Sequence, residues 1–221
     1  MNNKKMIEVF TDKYPYIGPA IWILSVQYFI VQIIVGLSFK PSYSLRFNTI
    51  SDLGNTVCGI YSGRVVCSSL HYLMNGSLIL LGITMATGSL LIYQEFKKDL
   101  GTLVGFSFMA LSGLGTILVG LFPENTISIL HIIGASLPFI IGNIALILMS
   151  LFLQISRKFR IYTFLSGSLA LIFLILFETQ NYLSLGIGGV ERIVAYPQTL
   201  WLIIFGIYIS KDRYMRGKLE R

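Results

Sequence analysis

The stretch His71-Tyr-Leu-Met-Asn-Gly-Ser-Leu-Ile-Leu-Leu-Gly-Ile-Thr-Met-Ala-Thr-Gly-Ser-Leu-Leu-Ile-Tyr93 contains no Asp, Glu, Lys or Arg. A hydrocarbon core of about 30 Å takes roughly 20 apolar residues as a helix, and this run is long enough. Its apolar residues are continuous rather than alternating, which predicts a helix and not a barrel strand. Working outward, five more runs follow the same pattern: Ile17–Leu37, Gly101–Leu121, Ile129–Leu153, Ile161–Phe177 and Ile193–Ser210. The last two are at the short end of the usual range. Composition agrees, with 54% hydrophobic and 12% charged residues and a mean hydropathy of +0.74. A soluble domain carries about 25% charged residues. The expectation is an all-α polytopic transmembrane bundle of six helices, one domain over residues 1–221. The run after the amino-terminal tail is too long for a signal-peptide core and lacks a small-residue cleavage site, so it reads as a retained first span.

Charge sets the expected orientation. With the amino terminus in the cytosol, the tail and the segments Gln94–Leu100, Gln154–Arg160 and Lys211–Arg221 hold 13 of the 17 Lys and Arg residues. Only Lys40, Arg46, Arg64 and Arg192 fall on the other side. Short cytoplasmic loops are enriched in Lys and Arg, so both termini are expected in the cytosol of a cell-membrane protein. The net charge of +7 is scattered over loops and tails, so it points to membrane orientation and lipid contact rather than to nucleic acid. Oligomeric state is left open.

Cys58 and Cys67 both fall in the first outer loop, with Gly59, Ser62 and Gly63 between them. A disulfide persists outside the cytoplasm, and two cysteines allow one pairing, so a Cys58–Cys67 bridge is expected. Gly101, Gly105, Gly113, Gly115 and Gly120 in the third span, with Gly134, Pro138 and Gly142 in the fourth, predict close helix approach inside the bundle. Pro138 is expected to kink the fourth span.

The residues that can do chemistry collect on the outer face. Asn48-Thr-Ile-Ser-Asp-Leu-Gly54 occupies the first outer loop. His71 opens the second span, with Asn75 one turn below. Phe122-Pro-Glu124 precedes His131 in the fourth span, and Glu191-Arg192 precedes Tyr196-Pro197 near the sixth. Asp52, His71, Glu124, His131 and Glu191 are the candidate acids and bases, and Asn48, Asn75, Arg192 and Tyr196 the candidates for holding a substrate headgroup. Ionisable groups at membrane helix ends are costly unless paired or wet, which makes such a cluster a site by default. Each also has a bland reading. Ser51 reads as a cap of a short surface helix, Asp52 equally as a cap or as a base, metal ligand or Arg partner. Glu191 and Arg192 read equally as an ion-pair network, for instance Arg192 with Asp52 or Glu124.

The combination of these four motifs resembles the multi-pass family of archaeal and bacterial membrane proteins catalogued as a domain of unknown function, from about residue 15 to residue 210. The resemblance implies six spans and no particular activity. Function therefore rests on the residues. The leading expectation is a hydrolase or transferase acting outside the cytosol on lipid or lipid-linked headgroups, with zinc on His71, His131 and Asp52 as a variant. No H-E-x-x-H pair is present and nothing marks a nucleophilic serine. One haem between the two histidines is disfavoured, since the inner half has no histidine. A coupled transporter is disfavoured because no inverted repeat shows. The alternative is a non-catalytic subunit or lipid-binding protein whose outer cluster is structural.

Overall fold

The computed structural model describes residues 13–219, with side chains through Arg213. Lys4, Lys5 and Arg221, which entered the charge count, lie outside the described residues. Six helices are long and apolar enough to cross a membrane. They are α1 (Ile17–Ser38), α2 (His71–Tyr93), α3 (Leu100–Leu121), α4 (Ser128–Phe152), α5 (Arg157–Glu178) and α6 (Gly186–Leu219). The protein is a multi-pass integral membrane protein with an all-α fold. Large apolar side chains such as Ile33, Leu37, Leu165 and Ile175 stay exposed on the outside of the bundle, where lipid takes the place of water.

Local chemistry sets the helix ends. Asp99 Oδ1 accepts the Thr102 N–H at 2.8 Å, and Ser156 Oγ accepts the Phe159 N–H at 3.4 Å, so α3 and α5 each begin on a side-chain cap. Two helices are longer than their hydropathy predicts. The α5 helix starts at Arg157 rather than Ile161, because its first turn carries bases. The α6 helix starts at Gly186 rather than Ile193, so Glu191 and Arg192 lie within a helix, 4% and 7% exposed, and not in a loop.

Close backbone approach joins α2 to α3. A Cβ on Gly113 would lie 2.6 Å from the Gly82 carbonyl oxygen, and one on Gly134 of α4 would lie 2.9 Å from the Gly115 carbonyl. Small residues therefore face the bundle interior, as expected. Near the chain termini, Trp22, Trp201 and Phe205 fill the core, with ring centroids 5.5 Å apart for the Trp pair and 4.5 Å for Trp201 and Phe205. Pro138 sits in a π turn, Leu137–Gly142, inside α4. A proline lacks the N–H that would close the ladder, and the wider turn absorbs the break. Asn143 Nδ2 then donates to the Phe139 and Val194 carbonyls at 2.9 and 3.2 Å, tying the bulge to α6.

The connection between α1 and α2 folds over the opposite end of the bundle. It carries a 3-10 turn, Ser51–Gly54, and a hairpin of β1 (Gly59–Tyr61) and β2 (Arg64–Val66), paired Gly59 to Val66 and Tyr61 to Arg64. Ser62 and Gly63 have φ of 47° and 77°, the two positive values that a tight mirror-image hairpin turn needs. Cys58 and Cys67 flank the strands and form the expected disulfide, with Cα atoms 4.2 Å apart. Changing both to serine should cost about 2–3 kcal/mol, because a short closed loop is released in the unfolded chain. The check is the thermal midpoint in detergent. An unchanged midpoint for the double variant would show that the bridge constrains nothing.

Candidate functional site

The site starts from a reciprocal cap. Asp52 Oδ2 accepts the Thr49 backbone N–H at 3.0 Å, and Thr49 Oγ1 accepts the Asp52 N–H at 3.0 Å. This is a capping box. It gives the capping role to Thr49 and Asp52, not to Ser51, whose hydroxyl is left free to point elsewhere. The turn is tied to α2 by the Asn75 amide, which donates to the Gly54 carbonyl at 2.9 Å. It is tied to α6 by Glu191, whose carboxylate accepts the Ile50 N–H and lies 3.5 Å from the Ser51 hydroxyl.

Ser51 faces His131. Its Oγ lies 3.0 Å from His131 Nε2, and His131 Nδ1 lies 2.9 Å from the Phe122 carbonyl oxygen. A carbonyl only accepts, so Nδ1 carries a hydrogen and, in the neutral ring, Nε2 is the acceptor of the Ser51 hydroxyl. The order hydroxyl, imidazole, orienting acceptor is that of an activated nucleophile. Glu191 Oε1 stands 3.5 Å from the same Oγ. The phenylalanine carbonyl belongs to the Phe-Pro-Glu loop after α3, so that loop orients the His131 ring.

Beside this pair sits an ion network. Arg64 of β2 grips Asp52 with both arms, Nε to Oδ2 at 3.0 Å and Nη2 to Oδ1 at 2.9 Å. Asn48 Nδ2 adds a third side-chain donor at 2.9 Å. The expected pairing of Asp52 with Arg192 is not found: Arg64, delivered by the disulfide-bridged hairpin, takes that place. Burial alone would raise Asp52, but the hydrogen bonds from Arg64 and Asn48 and the Arg64 charge outweigh it and hold the carboxyl below its ordinary value. Glu124 moves the other way. Burial first, then the Asp52 charge and hydrogen bond beside it, push Glu124 up to about 8. One proton is thus shared across the two acids, on Glu124, while Asn55 Nδ2 donates to Glu124 at 3.0 Å.

That arrangement gives stability a pH dependence. The unfolded chain releases the Glu124 proton near 4.5, whereas the folded protein keeps it to about 8. Between those values the folded state holds the extra proton, so stability falls as pH rises through this window and levels off above it. The Asp52 contribution has the opposite sign and is lost only as pH falls below the ordinary carboxylate range. Wild-type Tm should therefore decline from pH 5 to pH 9, and Glu124→Gln, neutral throughout and still able to donate to Asp52, should flatten the decline. Parallel slopes for the two proteins would show that Glu124 carries no raised proton.

Two cavities meet at Ser51 and Glu191. One is a crevice of about 480 Å³ whose polar rim includes Thr49, Arg64, Glu124 and His131 and whose lower wall includes Leu174 of α5 and Ile187 of α6. The other is a narrow apolar slot of about 60 Å³ reaching down between α2, α3, α4 and α6. Ser51, Ala135, Phe139 and Glu191 line both.

The remaining candidates sit apart from this junction. His71 Nδ1 lies 3.0 Å from the Ser68 carbonyl, and the ring packs edge-on to Tyr72. No contact joins it to His131. Arg192 Nη1 donates to the Leu45, Asn48 and Gly188 carbonyls at 3.0, 3.0 and 2.6 Å, and Nη2 donates to the Tyr43 hydroxyl. Tyr196 donates to Gln32 Oε1 at 2.8 Å. Asn48 is spent on Asp52 and on the Ser44 N–H. Among the described residues, no three His, Cys, Asp or Glu side chains are grouped to hold a metal ion. The residues missed from sequence are Ser51 as a partner of His131, and Arg64. The only signal was Ser51 preceding an acid in a glycine-ended turn, the same pattern that suggests a cap.

No curated protein and no solved structure matches the chain. A family model described as Protein of unknown function (DUF998) matches residues 23–208, from within α1 to within α6 and including every residue of the junction, and the chain belongs to that family.

Proposed function

We propose that the protein is a membrane-embedded acyl hydrolase or acyl transferase that acts at the extracytoplasmic face on esters of lipids or lipid-linked groups. The observation that carries this reading is Ser51 Oγ at 3.0 Å from His131 Nε2 where the polar crevice and the apolar slot meet. In the reaction, Ser51 Oγ attacks the ester carbonyl carbon while its proton passes to His131 Nε2. The carbonyl–alkoxy bond then breaks, and the departing alcohol takes the proton back from Nε2. Water, or an acceptor alcohol in the transferase case, attacks the acyl-serine and gives its proton to Nε2. The Oγ–acyl bond breaks, the proton returns to Oγ, and the acid or new ester leaves. Glu191 acts as a positioning residue, since it holds the backbone N–H of Ile50, next to Ser51, and so sets the direction of Oγ. The basic segments at the opposite end and a disulfide on the same loop as Ser51 support placing this face outside the cytosol.

The test is covalent. Protein purified in detergent is treated with a fluorophosphonate, and the adduct is located by peptide mass spectrometry. An adduct on Ser51 is expected, together with release of free acid from ester-lipid vesicles that a zinc chelator leaves unchanged. Loss of activity on chelation would favour the zinc variant on His131, and absence of any adduct would remove the serine. A second reading, a lipid-binding protein without chemistry, is favoured by the contacts that Asp52 and the Arg192 Nη groups make with their own chain. Under that reading, lipid co-purifies and no adduct forms.

A further inference from the structure

We infer that the narrow slot below Ser51 is the acyl-chain pocket of this site, and that it selects short to medium chains. The inference deepens the proposed function and assigns the substrate class: a membrane-borne ester whose acyl group points into the bundle while its alcohol side lies in the crevice lined by α4 and α5. The slot is walled by Leu78, Leu81, Val119, Pro138 and Ala195, with Tyr28 and Thr199 beside them, so its sides are mostly hydrocarbon. The polar atoms at its mouth are Ser51 and Glu191, which also face the crevice. An ester placed with its carbonyl at Ser51 Oγ therefore has the slot as an apolar path into the bundle interior, while the crevice carries apolar side chains, Leu174, Phe177 and Ile187, below its polar rim.

Depth and closure limit the chain. The slot follows α2 from Leu78 to Met85 and α6 from Glu191 to Gln198, two helical turns in each case, or about 10 Å. Its floor is Met85, Thr116 and Gln198, which are 1%, 5% and 4% exposed. Those floor groups are locked to their neighbours: Thr116 Oγ1 donates to the Ser112 carbonyl at 3.0 Å and lies 3.7 Å from Met85 Sδ, Ser112 Oγ donates to Gln198 Oε1 at 3.2 Å, and Gln198 Nε2 lies 3.6 Å from Met109 Sδ. A water-sized group occupies roughly 10–15 Å³ on the same measure, so 60 Å³ and a depth of about 10 Å suit an acyl segment of roughly four to eight carbons. The π turn of α4 shapes the mouth, since Pro138 and Phe139 both line it.

Two readouts test the pocket separately from the chemistry. The protein's two tryptophans are Trp22 and Trp201, and Trp22 Nε1 donates to the Met85 carbonyl at 3.4 Å, directly behind the slot floor. The methyl ester of ω-bromooctanoic acid should quench tryptophan fluorescence in wild type and in Ser51→Ala alike, and Ala195→Phe should lose that quenching. The second readout is hydrolysis of 4-nitrophenyl esters from acetate to palmitate. Wild type should favour butyrate to octanoate. Ala195→Phe should lower the octanoate-to-acetate turnover ratio about ten-fold or more. Met85→Ala should move the optimum to longer chains. Quenching without labelling would leave the pocket standing and remove the nucleophile. Labelling with a flat chain-length profile, or with palmitate preferred and Ala195→Phe unchanged, would overturn the pocket.

Discussion

Ser51→Ala is expected to abolish fluorophosphonate labelling and to lower ester turnover on the order of 10²-fold, with Tm almost unchanged. The magnitude follows from what orients the imidazole. In a full triad, removing the nucleophile or base costs on the order of 10⁶ in turnover, and removing the charged orienting group costs on the order of 10⁴. Here the orienting group is the neutral Phe122 carbonyl at 2.9 Å from Nδ1, so an imidazolium at His131 gains less support than from a carboxylate. The native enzyme should accordingly be slow, and the loss on mutation correspondingly smaller. His131→Gln should match Ser51→Ala, and the double variant should be no worse than either, since the two residues act as one unit. Stability distinguishes this from a structural role. Ser51 makes contacts only to His131 and Glu191 through its side chain, and hydrogen bonds of this kind are worth about 1 kcal/mol. If Ser51→Ala instead unfolds the protein while the residual folded fraction still turns over ester at the wild-type rate, the nucleophile is elsewhere.

The membrane helices were legible because each hydropathy run reports directly on the solvent around it. The same signal misjudged where α5 and α6 begin. Hydropathy sees Arg157, Lys158 and Arg160 as a loop, and sees Glu191-Arg192 as another, but helical hydrogen bonding does not depend on side-chain charge. Glu191 and Arg192 are tolerated in α6 because each finds donors or acceptors on the loop after α1, some 140 residues away in sequence. The disulfide was legible because two cysteines flank turn residues at short range. Pro138 announced a local break in α4, although the form it takes, a π turn, depends on Asn143 and α6 as well.

The site was only half legible, and the reason is separation. The grouping of Asp52, Glu124, His131 and Glu191 followed from topology, which puts three connections at one membrane depth. The assignment of roles did not follow. Thr49 and Asp52 satisfy each other as a cap, so the local pattern around Ser51 was accounted for before Ser51 was reached, and its partner lies 80 positions away. Arg192 had an acid as a plausible mate by depth alone, yet its geometry suits the backbone carbonyls that the descending loop presents. His71 shares the depth of His131, but nothing in a depth argument fixes which way a ring points around its helix. It turns to the Ser68 carbonyl.

Asp52→Ala should be the most destabilising single change at this end of the molecule, costing about 3–5 kcal/mol, because it strands a partly buried guanidinium without its counter-charge. Asp52 is fully buried and Arg64 only 17% exposed on the crevice rim, so the freed guanidinium regains only part of its hydration. The variant also leaves the Asn48 amide and the Thr49 N–H without their acceptor, and it removes half of the cap that holds Ser51 in place. A midpoint shift of roughly 10 °C is expected for a chain of this size, and activity should fall even in the folded fraction as the Ser51 turn loosens. Arg64→Ala should cost less, since Asp52 keeps two donors, and its cost should shrink towards low pH as the freed Asp52 takes up a proton. Asp52→Asn separates charge from shape. It preserves volume but turns an amide donor towards the Asn48 and Arg64 donors, so it should recover little of the lost stability. Midpoints of the three variants in detergent at pH 5 and pH 7 decide the matter: an Asp52→Ala protein within about 2 °C of wild type would mean that the Arg64 clamp carries no stabilising load, and that the turn bearing Ser51 is held by Glu191 and Asn75 alone.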